Sequence, residues 1–242
     1  MFWKILKYLG LFVLTLLIIV ASIYFLVTVD PAQRPKSTGA QTEYITFRED
    51  DFPPAAIEEL AAEWGKNKFI PAAIRLPALL ALRQYPELKD KKVVFHYAPA
   101  AIPLSSRPSP GSVFQHANNR TYNVFVSSKS DPGLEPILIH SLPFDSQVAI
   151  LAHELGHSLF YTQLTGLQIA KFGMDYALKA ETRAIHEKGT DSLVVYRGLG
   201  LPLYEYATWV RSPVMMGENY IEDEAWVDQF YLKPGEIKEM ME

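Results

Sequence analysis

The chain has no cysteine among its 242 residues, which excludes disulfides and thiolate metal sites alike. Any metal must therefore sit on histidine and carboxylate, a ligand set typical of catalytic rather than structural centres. Histidine is itself scarce, at six residues, so a close pair of them carries information. Neither sign of charge dominates: 23 basic and 27 acidic residues give a formal charge of −4, which argues against nucleic acid as a main partner. Internal repeats and low-complexity tracts are also missing from the sequence, which removes solenoids from consideration. The 49% hydrophobic content is enough for one sizeable core, and the length fits one domain with an appendage.

Charge is wholly absent from residues 8–29, which follow Lys4 and Lys7. At about 1.5 Å per helical residue such a run crosses a hydrocarbon core of roughly 30 Å. We expect residues 1–29 to form a single transmembrane anchor. A cleaved signal peptide fits less well, because the run is long for an h-region and no small-x-small site ends it. Arg34 and Lys36 nearly balance Lys4 and Lys7, but a short N-terminal tail usually stays cytoplasmic, so the expected location of the domain is extracytoplasmic, periplasmic in a Gram-negative cell. Residues 30–42 contain Pro31, Pro35, Ser37, Thr38 and Gly39 without hydrophobic pattern and are read as a linker. Residues 43–242 form the expected domain.

Within it, Pro53 and Pro54 open an expected helix over 55–64, and a second helical stretch spans 71–85 with Pro77 interrupting it. Residues 92–98 and 121–127 alternate as strands, separated by a Pro/Ser/Gly-rich loop over 99–112. They suggest either a structural hairpin or a small sheet with an exposed edge of the kind that receives a peptide as an added strand. His96, His116 and His140 in or beside this region are read as surface or core histidines rather than ligands.

Two of the six histidines fall in residues 151–161, Leu-Ala-His-Glu-Leu-Gly-His-Ser-Leu-Phe-Tyr. His153, Glu154 and His157 have H-E-x-x-H spacing, a zinc-protease signature. On a helix both imidazoles share one face, while Glu154, about 100° round the axis, flanks the metal as a base. Asp145 or Ser146 is the expected cap, and the helix is expected to end near Thr165 and Gly166. The surrounding residues, among them Val148, Ile150, Leu151, Leu155, Leu159 and Phe160, make it a buried helix.

Zinc on two histidines needs a third protein ligand with one position left for water. An expected helix over 171–197 contains Glu187 and Asp191, four apart, so that one carboxylate can bind metal while the other accepts a ligand histidine's free N–H. Glu181 and His186 are rivals. So is Glu224, followed at the same offset by Asp228, and spacing alone does not separate it from Glu187. Gly156 and Gly189 are read as places where two helices approach closely. Gly198, Gly200 and Pro202 are expected to break the helix before two further helical stretches over 204–210 and 222–232. His186, Tyr204, Tyr206, Tyr220 and Arg211 are all admissible oxyanion donors.

From about residue 91 onward the chain resembles a group of bacterial zincin-like metallopeptidases of the gluzincin type. The resemblance rests on Ser106-Arg107-Pro108, Asn119-Arg120-Thr121-Tyr122, Ala152-His153-Glu154-Leu155-Gly156-His157, Glu187-Lys188-Gly189-Thr190-Asp191, Gly198-Leu199-Gly200 and residues 231–237. It implies a zincin-like α+β domain, mainly helical, with a small sheet packed on the H-E-x-x-H helix. It also implies Glu187 as third ligand and Asp191 as the residue steadying His153; the motif and its sulfur-free donor set make Zn2+ the expected cofactor and a peptide or protein the expected substrate. The resulting expectation is a membrane-anchored zinc peptidase with Glu154 as general base. The alternatives are a non-catalytic zincin scaffold that binds a partner or cell-envelope polymer, and a metal-dependent hydrolase of a non-peptide amide.

Overall fold

A computed structural model describes residues 2–33, 44–212 and 220–242. Helix α1, Phe2–Leu26, contains 21 residues, Leu6–Leu26, that are long and apolar enough to cross a membrane. Most of the expected linker, residues 34–42, lies outside the described residues. Its first residues lie against the domain: the Pro31 carbonyl faces His186, and Val29 just before them packs on the cluster of Phe160, Leu164, Ile169 and Phe172.

The domain is α+β and mainly helical. Helix α2, Pro54–Trp64, starts on proline, and α3 runs Arg75–Arg83. Pro77 was expected to interrupt this stretch. It instead lies in the first turn of α3, where no intrahelical partner exists for its missing N–H. Residues 76–82 of α3 are all buried, so the helix runs through the core.

Strands β1 (Lys68–Phe69), β2 (Lys92–Ala98), β3 (Leu104–Pro108) and β4 (Thr121–Ser127) form one mixed sheet in the order β1-β2-β4-β3. β2 and β4 are parallel, from Lys92 opposite Thr121 to Ala98 opposite Ser127, so they are not a hairpin. β3 pairs antiparallel with β4 and forms the sheet edge. It occupies part of what the sequence presents as a loop over 99–112. Leu-Ser-Ser-Arg-Pro has little intrinsic strand preference; its extended form comes from pairing with β4, and Pro108 is tolerated at its end. Val93, Phe95, Tyr122, Val124 and Val126 turn one sheet face into the core.

Against that face lies α4, Phe144–Thr162, with every residue from Val148 to Phe160 buried. Removing Leu151, Leu155 and Leu159 from water stabilises the fold by about 1.5–3 kcal/mol each. Pro143, not Asp145 or Ser146, occupies the N-cap. The Asp145 carboxylate instead accepts the Phe47 N–H, tying the chain ahead of α2 to the start of α4. The helix ends at Thr162, and Arg120 closes it by donating to the carbonyls of Tyr161 and Leu164, each at 2.9 Å. Thr165 and Gln168 then form a capping box that starts α5, Gly166–Leu178.

The single helix expected over 171–197 is two helices, α5 and α6, the latter Ala180–Val194, with Lys179 extended between them. The sequence has no breaker there. Folding back brings the Tyr176 hydroxyl within 2.5 Å of Glu187, eleven residues on, which in one straight helix would lie about 16 Å away along the axis. After α6, Gly198 adopts φ 83°, a left-handed conformation that glycine takes without penalty. The chain then resumes as α7, Gly200–Trp209, followed by α8, Tyr220–Phe230, and α9, Pro234–Met241.

Gly156 lies where α4 crosses α6. A Cβ there would come within 2.8 Å of Thr190 Cγ2 and 3.4 Å of Tyr85 Oη. We predict that Gly156→Ala destabilises the protein by about 1–3 kcal/mol through overpacking, despite alanine's higher helix propensity. Adding Thr190→Ser removes the obstructing methyl and should restore part of the loss. Thermal melts of the two variants check this, and equal melting temperatures would show that Thr190 is not the obstruction.

Candidate metal centre

The buried surface of α4 places His153 and His157 one turn apart, with ring centroids 4.6 Å from each other and planes nearly perpendicular. α6 brings Glu187 against both. Its Oε2 lies 2.9 Å from His153 Nε2 and 3.3 Å from His157 Nε2. One nitrogen from each ring and one carboxylate oxygen thus converge within 4.8 Å of one another, and all three residues are buried. Among the described residues this is the His/Asp/Glu group that could hold a metal ion; Glu181 and Glu224 are not part of it.

The other atom of each ligand is also held. His153 Nδ1 lies 2.8 Å from Asp191 Oδ1, and the Leu232 N–H donates to Asp191 Oδ2 at 2.9 Å. The Tyr176 hydroxyl donates to Glu187 Oε1 at 2.5 Å, leaving Oε2 toward the imidazoles. His157 Nδ1 lies 2.8 Å from His186 Nε2, with the two rings stacked. If both ligand histidines use Nε2 for a metal, their Nδ1 atoms carry protons. His153 then donates to Asp191 and His157 to His186, which keeps its own proton on Nδ1, 3.4 Å from the Pro31 carbonyl. Each of the three converging side chains therefore has a partner that fixes its orientation, as metal sites generally require.

The electrostatics fit a cation at the point of convergence. Burial alone would lower the pKa of His153, but its hydrogen bonds to Asp191 and Glu187 outweigh burial and raise it well above 6.5. Burial would likewise raise Glu187, yet the two histidines bring it well below 4.5. The protein alone thus favours positive charge in this buried space, and the donor set suits a divalent ion.

Glu154 differs from these residues. It is buried, and its Oε2 makes no hydrogen bond among the described residues. Desolvation raises its pKa above 4.5, opposed by His157 and His153. Glu154, His153, His157 and Glu187 line a cavity of about 500 Å³. The edge strand β3 contributes Leu104, Ser105 and Ser106 to the wall, and α7 contributes Leu203, Tyr206 and Ala207.

No protein-family model, curated protein or solved structure matches this chain. The site is therefore argued from its own geometry.

The remaining sequence candidates separate cleanly. Tyr206, Arg211 and His186 line the cavity, whereas Tyr204 is not in its wall and packs against the core. The Arg211 guanidinium is committed to Asp228 and to the carbonyls of Ala207 and Leu232, which also accounts for Asp228. His186 supports His157 from behind instead of offering an atom to the metal group, and the side chain of Tyr220 lies outside the described residues. His96 stacks on Phe125, His116 accepts the Asn118 N–H, and His140 pairs with Glu135, all apart from the site. Tyr161 and Tyr176 were not identified from sequence, and Tyr231 only as a core or rim aromatic, yet all three line the cavity. Tyr161 had a legible signal, standing four residues after His157 on the same helical face. Tyr176 and Tyr231 had none, since their positions depend on how α5 and α8 return to α6.

Proposed function

We propose that this chain is a zinc-dependent peptidase with a zincin-like domain, held by its N-terminal helix at the extracytoplasmic face of a membrane. The observation that carries this reading is the buried Oε2 of Glu154, without a hydrogen-bond partner among the described residues, beside the His153, His157 and Glu187 group. A site that only stored a metal has no use for such an oxygen, whose burial without a partner costs free energy. A hydrolase needs it as a proton acceptor.

The ligand set of two imidazoles and one carboxylate, without sulfur, suits zinc in a catalytic role. When bound, zinc would supply Lewis acidity and a nucleophile at neutral pH. Glu154 accepts the proton of the attacking water at Oε2 and passes it to the leaving amine. Asp191 and His186 hold the two imidazoles, and Tyr176 holds Glu187, so the ligands do not reorient during turnover. The edge position of β3 and its place in the cavity wall support a substrate bound as an added strand beside the site. The cavity wall is largely apolar, with Ile150, Leu203 and Val210 among its members, which favours peptides with large apolar side chains.

Incubating the full chain in detergent with zinc and a peptide library, followed by mass spectrometry, tests the reading. We expect cuts next to apolar residues that a chelator abolishes and added zinc restores. One bound zinc per chain with no peptide cleaved would reject the peptidase and favour the partner-binding scaffold.

A further inference from the structure

α5 has a face against which none of the described residues of the domain packs. Ile169 and Phe172 are buried against Phe160 and Leu164, and Tyr176 reaches Glu187. Leu167, Met174 and Leu178 instead stand exposed at 48%, 44% and 80%. With Lys171 they are spaced four, three and four residues apart and so form one stripe along the helix, opposite the core face. Phe114, 72% exposed, extends the apolar surface beside Gly166 at the start of α5.

This stripe lies beside the chain as it leaves the membrane-spanning helix. The Tyr24 hydroxyl donates to Asp175 Oδ1 at 2.5 Å, and Lys171 Nζ sits 4.1 Å from the centre of the Tyr24 ring. Four residues on, the Thr28 carbonyl accepts from Gln168 Nε2 at 3.2 Å, and Val29 joins the Ile169 and Phe172 cluster. The exit segment is thereby bonded to both halves of α5, and a bilayer around α1 begins next to that helix. Phe25 and Leu26, at 79% and 81% exposed, continue the apolar surface from the anchor.

We propose that α5 is an interfacial helix whose Leu167, Met174 and Leu178 stripe, with Phe114, is immersed in the acyl boundary of the membrane that α1 spans. Lys171 and Lys179 both pair with Asp175, at 2.5 and 2.7 Å, beside the Tyr24 ring, so the charges next to the stripe are partly neutralised by one carboxylate where the chain leaves the span. Because the opposite face of α5 carries Tyr176 and through it Glu187, the metal centre stands roughly one helix diameter, about 10–12 Å, above the membrane surface. Peptide segments emerging from the bilayer would be its nearest substrates. The inference rests on α1 being a membrane span, but not on the chemistry of the site.

The absence of cysteine allows a direct test. Leu167→Cys, Leu178→Cys, Phe69→Cys and Leu14→Cys variants of the full chain are labelled with an environment-sensitive fluorophore and reconstituted in phosphatidylcholine/phosphatidylglycerol vesicles containing spin-labelled lipid. Phe69 is an exposed apolar residue at the opposite edge of the sheet, and Leu14 lies inside the span. We expect lipid quenching at 167 and 178 at least about twofold stronger than at 69, with 14 strongest. Quenching at 167 and 178 no greater than at 69, while 14 is quenched, overturns the interfacial helix and leaves the span intact. Blue-shifted emission at 178 without lipid quenching means that a second copy covers the stripe, which also overturns it. Absence of quenching at 14 removes the span and this inference together, and leaves the peptidase reading to the digestion assay.

Discussion

Glu154→Gln is expected to lower peptide turnover by about 10²- to 10⁴-fold, the range that a positioned general base supplies, with one metal per chain still bound. The substitution keeps the shape of the side chain and removes its capacity to accept a proton. Glu154 lies on α4 between the two ligand histidines and is not one of the three converging residues, so metal affinity should change little. Its Oε2 makes no hydrogen bond among the described residues, so no bonded partner of that atom is left unpaired. Metal content by mass spectrometry and turnover of a peptide identified in the library digest decide the matter. A variant that cleaves at the original rate would remove Glu154 from the mechanism; one that loses its metal would place the residue among the ligands.

Glu187→Ala should weaken zinc binding by more than about 100-fold, since loss of a supporting partner alone commonly costs 10- to 100-fold. Glu187 supplies the oxygen on which both Nε2 atoms converge. Its removal also leaves a buried cluster with Asp191 alone of the two carboxylates that raise the His153 pKa against burial. The metal-free variant should therefore unfold more easily, by on the order of 3 kcal/mol. Asp191→Asn is expected to fall between this variant and the unaltered protein, because it leaves the three converging residues in place and alters only the carboxylate that accepts from His153 Nδ1 and from the Leu232 N–H. Glu224→Ala should bind zinc normally. Competition with a chromophoric chelator measures all three, and normal affinity in Glu187→Ala together with loss in Glu224→Ala would reverse the assignment.

Much of the site could be read from spacing, for a physical reason. A helix holds residues four apart on one face whatever it packs against, so the placements of His153 with His157 and of Glu187 with Asp191 are local properties of the chain. Gly156 was legible for a related reason, since a helix interior tolerates glycine at a cost that a close crossing can justify. Sequence could not rank Glu187 above Glu224, because both occur with the same four-residue offset and the choice depends on which helix meets α4. Nor could it find the break at Lys179, where no glycine or proline stands, or the strand β3, whose residues are extended only because β4 offers a partner. His186 illustrates the same limit. As a histidine beside Glu187 it was a candidate ligand or oxyanion donor, and only the 2.8 Å contact of its Nε2 with His157 Nδ1 shows it to be a support.

The sequence by itself determined the apolar N-terminal run, the lack of sulfur donors, the helix that carries His153, Glu154 and His157, and the alternating strands over 92–98 and 121–127. These follow from composition and from the 3.6- and two-residue periods of the backbone, which need no partner to be legible. The tertiary structure alone decided which distant carboxylate reaches the histidines, which tyrosines enter the cavity, and that the chain leaving α1 docks along α5. Those outcomes depend on packing between segments far apart in sequence, where the closeness of Tyr24 to Asp175 or of Tyr176 to Glu187 is set by the folded core and not by any local pattern.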